Sequence, residues 1–233
     1  MKLLTARFVT SATTAEAIPR DRVPHVALVG RSNVGKSSLI NALAKTRDLA
    51  RTSAAAGKTR LANVYRFDLD GGPGAPGKPG GIGRWSVYLV DLPGYGYARG
   101  GRESVAELRT IAESYFEAGQ KTRTAAADES GHRATTAAGR VSSPRAIRIA
   151  GVLHLIDARH PGLEADLDAA KWIETIGTGR AVIATKIDKL SRGERATNLR
   201  ELERQLGTAP LPVSAASGEG LEDLWTQIAR LSR

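Results

Sequence analysis

The chain has 233 residues, 41% of them hydrophobic, a formal net charge of +10, four histidines and no cysteine. This composition excludes disulfides, thiolate catalysis and cysteine-ligated zinc, and the length suits one α/β domain with a sizeable core. No apolar run reaches the roughly 18 residues of a membrane span, and the N-terminal residues lack the apolar core of a secretory signal. We therefore expect a cytoplasmic protein without a membrane partner.

The excess of positive charge has two interpretations. A basic surface attracts polyanions and speeds encounter with them, which favours RNA as a partner. An arginine-, alanine- and glycine-rich composition is also typical of a chain from a GC-rich genome, in which case the charge has no functional meaning. The sequence leaves both interpretations open, and we expect no DNA partner.

Apolar runs of strand length alternate with amphipathic stretches along the chain. The predicted strands lie at 25–30, 61–69, 85–92, 149–157, 181–186 and 209–214. The predicted helices lie at 37–45, 103–118, 163–176, 191–206 and 219–231. This alternation predicts an α/β fold with a mostly parallel sheet and helices on both faces. The N-terminal segment ARFVTS is expected either to pair at a sheet edge or to lie along the domain.

Two stretches interrupt this alternation. Residues 71–83 are dense in glycine and proline and join two predicted strands, which indicates a flexible hairpin tip. Residues 120–145 have almost no large apolar side chains, which indicates a disordered insertion. Since the flanking elements are all needed for one sheet, we predict a single domain over residues 1–233.

The first motif is GRSNVGKS at 30–37, which fits the GxxxxGK[ST] pattern between a predicted strand and a predicted helix. In such a P-loop, backbone N–H groups surround the phosphates and Lys36 reaches the β- and γ-phosphates, while the Ser37 hydroxyl binds Mg²⁺. The residues predicted to bind are Gly30, Arg31, Ser32, Asn33, Val34, Gly35, Lys36 and Ser37.

The second motif is DLPG, which ends the predicted strand at 85–92. Asp91 can hold the magnesium shell through a metal-bound water, and Gly94 can present its N–H to the γ-phosphate and so register that phosphate. The contacts predicted here are made by Asp91, Leu92, Pro93 and Gly94. A second magnesium ligand is expected from the preceding loop, where spacing alone leaves Thr46, Thr52 and Thr59 as alternatives.

The third motif, TKID at 185–188, distinguishes a guanine site from an adenine site. Asp188 can accept hydrogen bonds from N1–H and the N2 amino group of guanine, and adenine offers neither donor. Rejection on the order of 10⁴-fold is typical of such a site. The Lys186 stem can pack on the base plane. The residues predicted to contact the base are Thr185, Lys186, Ile187 and Asp188, with the turn Val213, Ser214 and Ala215 at guanine O6.

Five segments together form a recognisable pattern: GRSNVGKSSLINAL, ARTSAAAGKTRL, DLPGYGYA, DARHPGLEADL and TKIDKLSRGE. They resemble the EngB (also called YihA or YsxC) family of bacterial GTPases over nearly the whole chain outside the two interruptions. The resemblance implies a monomeric Ras-like fold that binds GTP, GDP and Mg²⁺. It also implies a role in assembling the large ribosomal subunit, through the subunit or its rRNA, and a requirement for normal cell division and septation.

The resemblance decides between the loop threonines, because Thr59 matches the family's magnesium-binding threonine in a G-x-T-Q pattern. Ser37 and Thr59 are thus the implied metal ligands. Arg60 replaces the glutamine of that pattern, so the resemblance does not determine the conformation of the switch segment that adjoins Thr59. The loop residues implied to contact nucleotide are Gly57, Lys58, Thr59, Arg60 and Leu61. The residues implied to act in catalysis are Lys36, Thr59 and Gly94.

Tyr95 occupies the position after Gly94, where many small GTPases have a glutamine that orients the attacking water. We therefore predict slow intrinsic hydrolysis of GTP to GDP and phosphate. Asn33 resembles the asparagine of potassium-responsive GTPases, and a loop-stabilising amide is the equal alternative. His154 is predicted to be packed or hydrogen-bonded rather than catalytic, and a structural turn is predicted at 159–160.

Some features of the sequence remain ambiguous. Tyr95 and Tyr97, with Arg99 and Arg102 nearby, fit either a nucleotide-dependent contact with RNA or protein, or loop packing. A P-loop kinase would share the phosphate loop but would need an acceptor site and an arginine lid, whereas TKID predicts a guanine pocket. A constitutive RNA-binding module would explain the charge, yet no RNP or KH signature is present.

Overall fold

The computed structural model describes residues 1–12, 14–50, 62–71, 83–95, 110, 112–118 and 147–233. Its strands are β1 (Lys2–Ala12), β2 (Pro24–Gly30), β3 (Ala62–Asp70), β4 (Arg84–Asp91), β5 (Arg148–Asp157), β6 (Gly179–Thr185) and β7 (Leu211–Pro212). Its helices are α1 (Lys36–Leu43), α2 (helical at 112–118), α3 (Glu164–Thr175), α4 (Arg192–Leu206) and α5 (Leu221–Leu231). Short 3₁₀ turns lie at Ala15–Ala17 and Ile187–Lys189. Most of the two interruptions predicted at 71–83 and 120–145 lies outside the described residues.

The seven strands form one sheet in the order β1-β3-β4-β2-β5-β6-β7. Strands β4, β2, β5, β6 and β7 are parallel, while β1 and β3 are antiparallel to their neighbours. Strand β1 pairs with β3 from Lys2 opposite Asp70 to Ala12 opposite Ala62. The N-terminal segment therefore pairs at a sheet edge, the first of its two predicted placements.

Strand β2 lies in the middle of the sheet, and all seven of its residues are buried. A near-continuous apolar run is typical of a parallel strand covered on both faces. Val26 and Leu28 pack with α1 and α5 on one face, whereas Ala27 and Val29 pack with α2 and α3 on the other. Helix α4 packs with α3, β5 and β6 in a third cluster. The predicted α/β fold with helices on both faces is confirmed.

The topology determines where a ligand can bind. Strand β2 has β4 on one side and β5 on the other, so the strand order reverses around β2. In sheets of this kind, the crevice outside the carboxyl ends of the strands at the point of reversal is the usual ligand site. The chain leaves β2 at Gly30, β4 at Asp91, β6 at Thr185 and β7 at Pro212. All three sequence motifs consequently meet at one edge of the sheet.

Candidate nucleotide-binding site

The P-loop is the connection from β2 to α1. Asn33 and Gly35 have left-handed backbones, with φ of 62° and 112°, which turn the loop back over the first turn of the helix. Asparagine tolerates this conformation better than most residues do, which explains Asn33 through the backbone alone. In the described chain, no side chain caps the start of α1. Its first N–H groups are therefore available to an anion, which the helix dipole also favours.

Lys36 lies over this loop as the P-loop motif requires. Its Nζ donates to the backbone carbonyl of Gly30 at 3.3 Å and approaches that of Arg31 at 3.5 Å. Burial lowers the pKa of Lys36, and the nearby Asp91 opposes that shift. The ammonium group is thus held at the loop, where a phosphate would add a strong counter-charge.

Asp91 and Ser37 form the part of the site suited to a metal. The Ser37 hydroxyl donates to Asp91 Oδ2 at 3.2 Å. Asp91 is 5% exposed, and no donor among the described residues reaches its Oδ1. Burial raises the pKa of Asp91, while Lys36 and Ser37 lower it. A buried carboxylate oxygen without a partner is costly, and hard oxygen donors suit Mg²⁺, so this pair fits a magnesium ion.

The backbone after β4 packs directly against the P-loop. A Cβ on Gly94 would lie 2.7 Å from the Ser32 nitrogen and 2.9 Å from Lys36 Nζ, so no side chain fits there. The Ser32 N–H donates to the Tyr95 carbonyl at 3.0 Å. Leu92 and the neighbouring proline are buried. Gly94 is thus brought to the phosphate loop, as the sequence predicts.

Thr185 links the P-loop to the strands on the base side. Its hydroxyl lies 2.8 Å from the Val34 carbonyl and 3.1 Å from the Ile156 carbonyl. A threonine hydroxyl has one proton, so these two carbonyls share it and the shorter contact dominates. The next residue, Lys186, has a left-handed backbone with φ of 60°, and its Nζ donates to the Asn33 carbonyl.

Asp188 and Ser214 come from different loops and meet at the base side. The Ser214 hydroxyl donates to Asp188 Oδ1 at 2.7 Å and accepts from the N–H groups of Ala216 and Ser217. The bond from Ser214 lowers the pKa of Asp188. An ionised carboxylate only accepts hydrogen bonds, so it matches a ligand edge with two donors. Val213 is buried beside this pair, and Ala215 is partly exposed.

Asp157, at the end of β5, is a site residue that motif analysis missed. It accepts hydrogen bonds from the Arg159 side chain at 2.9 and 2.8 Å, and its Oδ2 lies 3.0 Å from Lys186 Nζ. Burial alone would raise the pKa of Asp157, but these cations outweigh it and hold that pKa far below its usual range. Asp157 therefore orients Lys186, and the turn predicted at 159–160 is confirmed. The sequence feature that could have identified Asp157 is an acidic residue at the end of an apolar, strand-length run.

His154 and Asp166 lie deeper, behind the P-loop. His154 is fully buried, with its Nε2 2.9 Å from the Tyr95 hydroxyl, so its predicted packed role is confirmed. Asp166 was not identified from the sequence, although it contacts Arg31 and Tyr95.

Several predicted residues lie outside the described ones. They are Thr52, Gly57, Lys58, Thr59, Arg60, Leu61, Tyr97, Arg99 and Arg102. In the parts of the chain that the structure describes, no helix is both long enough and apolar enough to cross a membrane.

Comparison with known proteins places this site in a family. A family model described as "50S ribosome-binding GTPase" matches residues 25–186. The probable GTP-binding protein EngB of Heliobacterium modesticaldum is 37% identical over 228 residues, covering 96% of this chain and 90% of that protein. The protein of the same name in Solibacter usitatus is 36% identical over 228 residues, covering 98% and 96%.

A solved structure supports the fold independently. Era from Aquifex aeolicus aligns with a TM-score of 0.62 and 22% identity, covering 90% of this chain and 56% of that one. At this identity the likeness concerns the Ras-like fold alone. The sequence relatives and the matched family model lead to one conclusion: the chain belongs to the EngB family of GTP-binding proteins and has a P-loop GTPase domain.

Proposed function

We propose that this chain is a slow GTPase and guanine-nucleotide switch that acts in assembly of the large ribosomal subunit and is thereby required for normal cell division and septation. One observation carries the proposal: four separate segments, after β2, β4, β6 and β7, converge at one edge of the sheet. Each brings the group that its motif requires. Strands from both ends of the chain enter this sheet, which supports a single domain over residues 1–233.

On the phosphate side, the amides of residues 30–37 bind the phosphates and Lys36 neutralises charge between the β- and γ-phosphates. Gly94 presents its N–H to the γ-phosphate. Residues 57–61 complete this side, with Thr59 as a metal ligand. On the base side, Asp188 accepts from the guanine N1–H and N2 amino groups, and residues 213–215 face O6.

Mg²⁺ is the proposed metal, held by Ser37 and Thr59, with Asp91 acting through a metal-bound water. When bound, the ion neutralises phosphate charge and helps to orient the phosphates. The unpartnered Oδ1 of Asp91, considered within the described residues, supports this assignment. A potassium ion that assists hydrolysis beside Asn33 stays a prediction, since the left-handed backbone already accounts for that residue.

The contacts of Tyr95 support slow hydrolysis. Its hydroxyl donates to Asp166 at 2.8 Å and lies 2.9 Å from His154 Nε2, so the phenol is engaged inside the protein. A glutamine at this position can orient the attacking water, whereas a half-buried phenol that already donates to Asp166 cannot. Hydrolysis then depends on positioning by Lys36 and Gly94, and a partner is needed for a fast rate.

The large ribosomal subunit or its rRNA is the proposed partner of a cytoplasmic, monomeric protein. The description of the matched family model and the net charge of +10 support it. A P-loop kinase is disfavoured because the Asp188–Ser214 pair suits a guanine edge. A constitutive RNA-binding module would bind irrespective of nucleotide. We expect neither DNA nor a membrane to be bound.

Co-sedimentation with isolated large subunits tests the proposal. The protein is loaded with GDP or with a non-hydrolysable GTP analogue, and its affinity is measured across a salt series. We expect tighter binding with the analogue at every salt concentration, with a log–log salt slope of about 0.7 to 0.9 per neutralised phosphate. Equal affinities in the two nucleotide states would reject the switch and leave a basic protein with nonspecific attraction.

A further inference from the structure

A partly buried hydrogen-bond chain joins the P-loop to the segment after Gly94. Asp166, in the first turn of α3, is 1% exposed. Its Oδ1 accepts from the Tyr95 hydroxyl at 2.8 Å, and both carboxylate oxygens lie 3.2 Å from Arg31 Nε. Arg31 directly follows Gly30, and Tyr95 directly follows Gly94. One carboxylate therefore holds both loops.

The protons in this chain can be assigned by counting donors. Burial raises the pKa of Asp166, while the contacts from Tyr95 and Arg31 lower it. With the carboxylate ionised beside Arg31, the one proton of the Tyr95 hydroxyl goes to Asp166, the stronger acceptor. Nε2 of His154, 2.9 Å from the phenol oxygen, must then donate to that oxygen. Burial lowers the pKa of His154 to about 3, so the ring is neutral near pH 7. Its hydrogen bond to the phenol oxygen then requires the tautomer with the proton on Nε2. The phenol and the carboxylate are thus both satisfied in a single arrangement.

The backbones of the same two loops are also joined. Arg31 and Tyr95 form a parallel bridge, and the Ser32 N–H donates to the Tyr95 carbonyl at 3.0 Å. Gly94 packs so closely that an added Cβ would lie 2.9 Å from Lys36 Nζ. The hydrogen bond from the Tyr95 side chain to Asp166 therefore restrains a backbone segment that already contacts the P-loop. This segment is one residue from Gly94, which is proposed to contact the γ-phosphate.

We propose that Arg31, Asp166 and Tyr95 form a positioning latch that fixes Gly94 against the P-loop before nucleotide binds. This inference rests on the proposed function, because it assigns Gly94 to the γ-phosphate. With the latch closed, the γ-phosphate does not have to order this backbone itself. GTP therefore gains affinity that GDP, which lacks that phosphate, does not gain. Tyr95 is a positioning residue that acts through Gly94.

The variant Tyr95→Phe tests the latch because it removes only the hydroxyl. We expect the affinity for a non-hydrolysable GTP analogue to fall about tenfold, as for loss of a hydrogen bond to a charged group, with GDP affinity within about twofold of the parent. Both are measured by equilibrium fluorescence titration. The matched control is Tyr115→Phe, since no hydrogen-bond partner for the buried Tyr115 hydroxyl is found among the described residues. The control should leave both affinities unchanged.

A second variant keeps the test decisive if the first fails to fold. Asp166→Asn preserves shape while weakening both contacts, and it should reduce the analogue-to-GDP affinity ratio in the same direction. The double variant should be little worse than Asp166→Asn alone, because that substitution already weakens the contact that Tyr95→Phe removes. The latch is overturned if a folded variant leaves the ratio unchanged, raises it, or loses affinity equally for both nucleotides. If the parent binds neither guanine nucleotide, the proposed function itself fails.

Discussion

The two sides of the candidate site differ in how completely the protein satisfies its own polar groups. On the base side, Lys186 lies 3.0 Å from Asp157 and Asp188 accepts from Ser214 at 2.7 Å. On the phosphate side, and within the described residues, Asp91 Oδ1 has no partner and no side chain caps α1. On the base side these groups are thus matched by one another, while on the phosphate side Asp91 Oδ1 and the first N–H groups of α1 have no side-chain partner among the described residues.

This difference separates specificity from switching. A pre-organised base side distinguishes one base from another whatever phosphates are attached, because its geometry does not depend on them. A phosphate side with unmatched groups gains most from the ligand that supplies charge, and so responds to the γ-phosphate and to Mg²⁺. Substitutions on the base side should therefore change which base binds, and substitutions on the phosphate side should change metal dependence.

The largest expected effect is a change of base preference in Asp188→Asn. Ser214 can still donate to the Oδ1 atom, which leaves the new amide NH₂ facing the base. Xanthine has a carbonyl where guanine has an amino group, so discrimination in favour of guanine should fall by roughly 10³- to 10⁴-fold. Competition titration with GTP, XTP and ATP measures this change. The matched control is Asp168→Asn at an exposed position of α3.

An unchanged GTP preference in folded Asp188→Asn protein would contradict the base-side assignment. A proportional loss of GTP and XTP affinity would do so as well, because it would indicate damage to the loop without a change in recognition.

Ser37→Ala should have a smaller effect, confined to the phosphate side. The substitution removes the hydroxyl that contacts Asp91, and we expect nucleotide affinity in Mg²⁺ to fall roughly 10- to 100-fold. With the metal chelated, parent and variant should bind alike. Calorimetry at several Mg²⁺ concentrations measures this. Ser86→Ala is the control. Ser86 lies at the end of β4 opposite to Asp91, and its hydroxyl also donates to an aspartate, Asp68 on β3. Equal magnesium dependence in Ser37→Ala and the parent would disprove the metal assignment.

The sequence predicted the elements that local patterns determine and the sheet edge at which its motifs meet. The P-loop lies between β2 and α1 because an apolar run, a glycine loop and a helical repeat follow one another there. Asp188 and Ser214 were both identified because each follows a strand in a parallel sheet, and the carboxyl ends of such strands share an edge. These predictions need only local periodicity and a fold class.

The latch could not be predicted in the same way. Arg31, Tyr95 and Asp166 are far apart in the chain, and Arg31 could have paired with any of 24 acidic residues. The choice of Asp166 depends on how α3 packs against β5 and β2, which is a tertiary property. The placement of β1 was likewise left open, because an edge strand is determined by the partner it finds on β3.

The smallest predicted effect tests whether the two sides are mechanically connected. The Thr185 hydroxyl, at the end of the base-side strand β6, donates to the Val34 carbonyl of the P-loop at 2.8 Å and so connects the two sides. Thr185→Val has nearly the same shape but removes the hydroxyl donor that the Val34 and Ile156 carbonyls share, so the free energy of unfolding should fall by about 1–2 kcal/mol. Because the P-loop loses a restraint and the ligand contacts remain, affinities for GDP and the GTP analogue should weaken together by only about threefold.

Urea denaturation and the same fluorescence titrations measure both quantities. Thr226→Val is the matched control, since its hydroxyl donates to the Glu222 carbonyl one turn earlier in α5 and lies away from the P-loop. If Thr185→Val destabilises the protein without changing either affinity, the two sides act independently and the contact is structural. If the analogue alone weakens, the restraint acts on γ-phosphate sensing, and the phosphate side then depends on the base side for its switching as well as for its position.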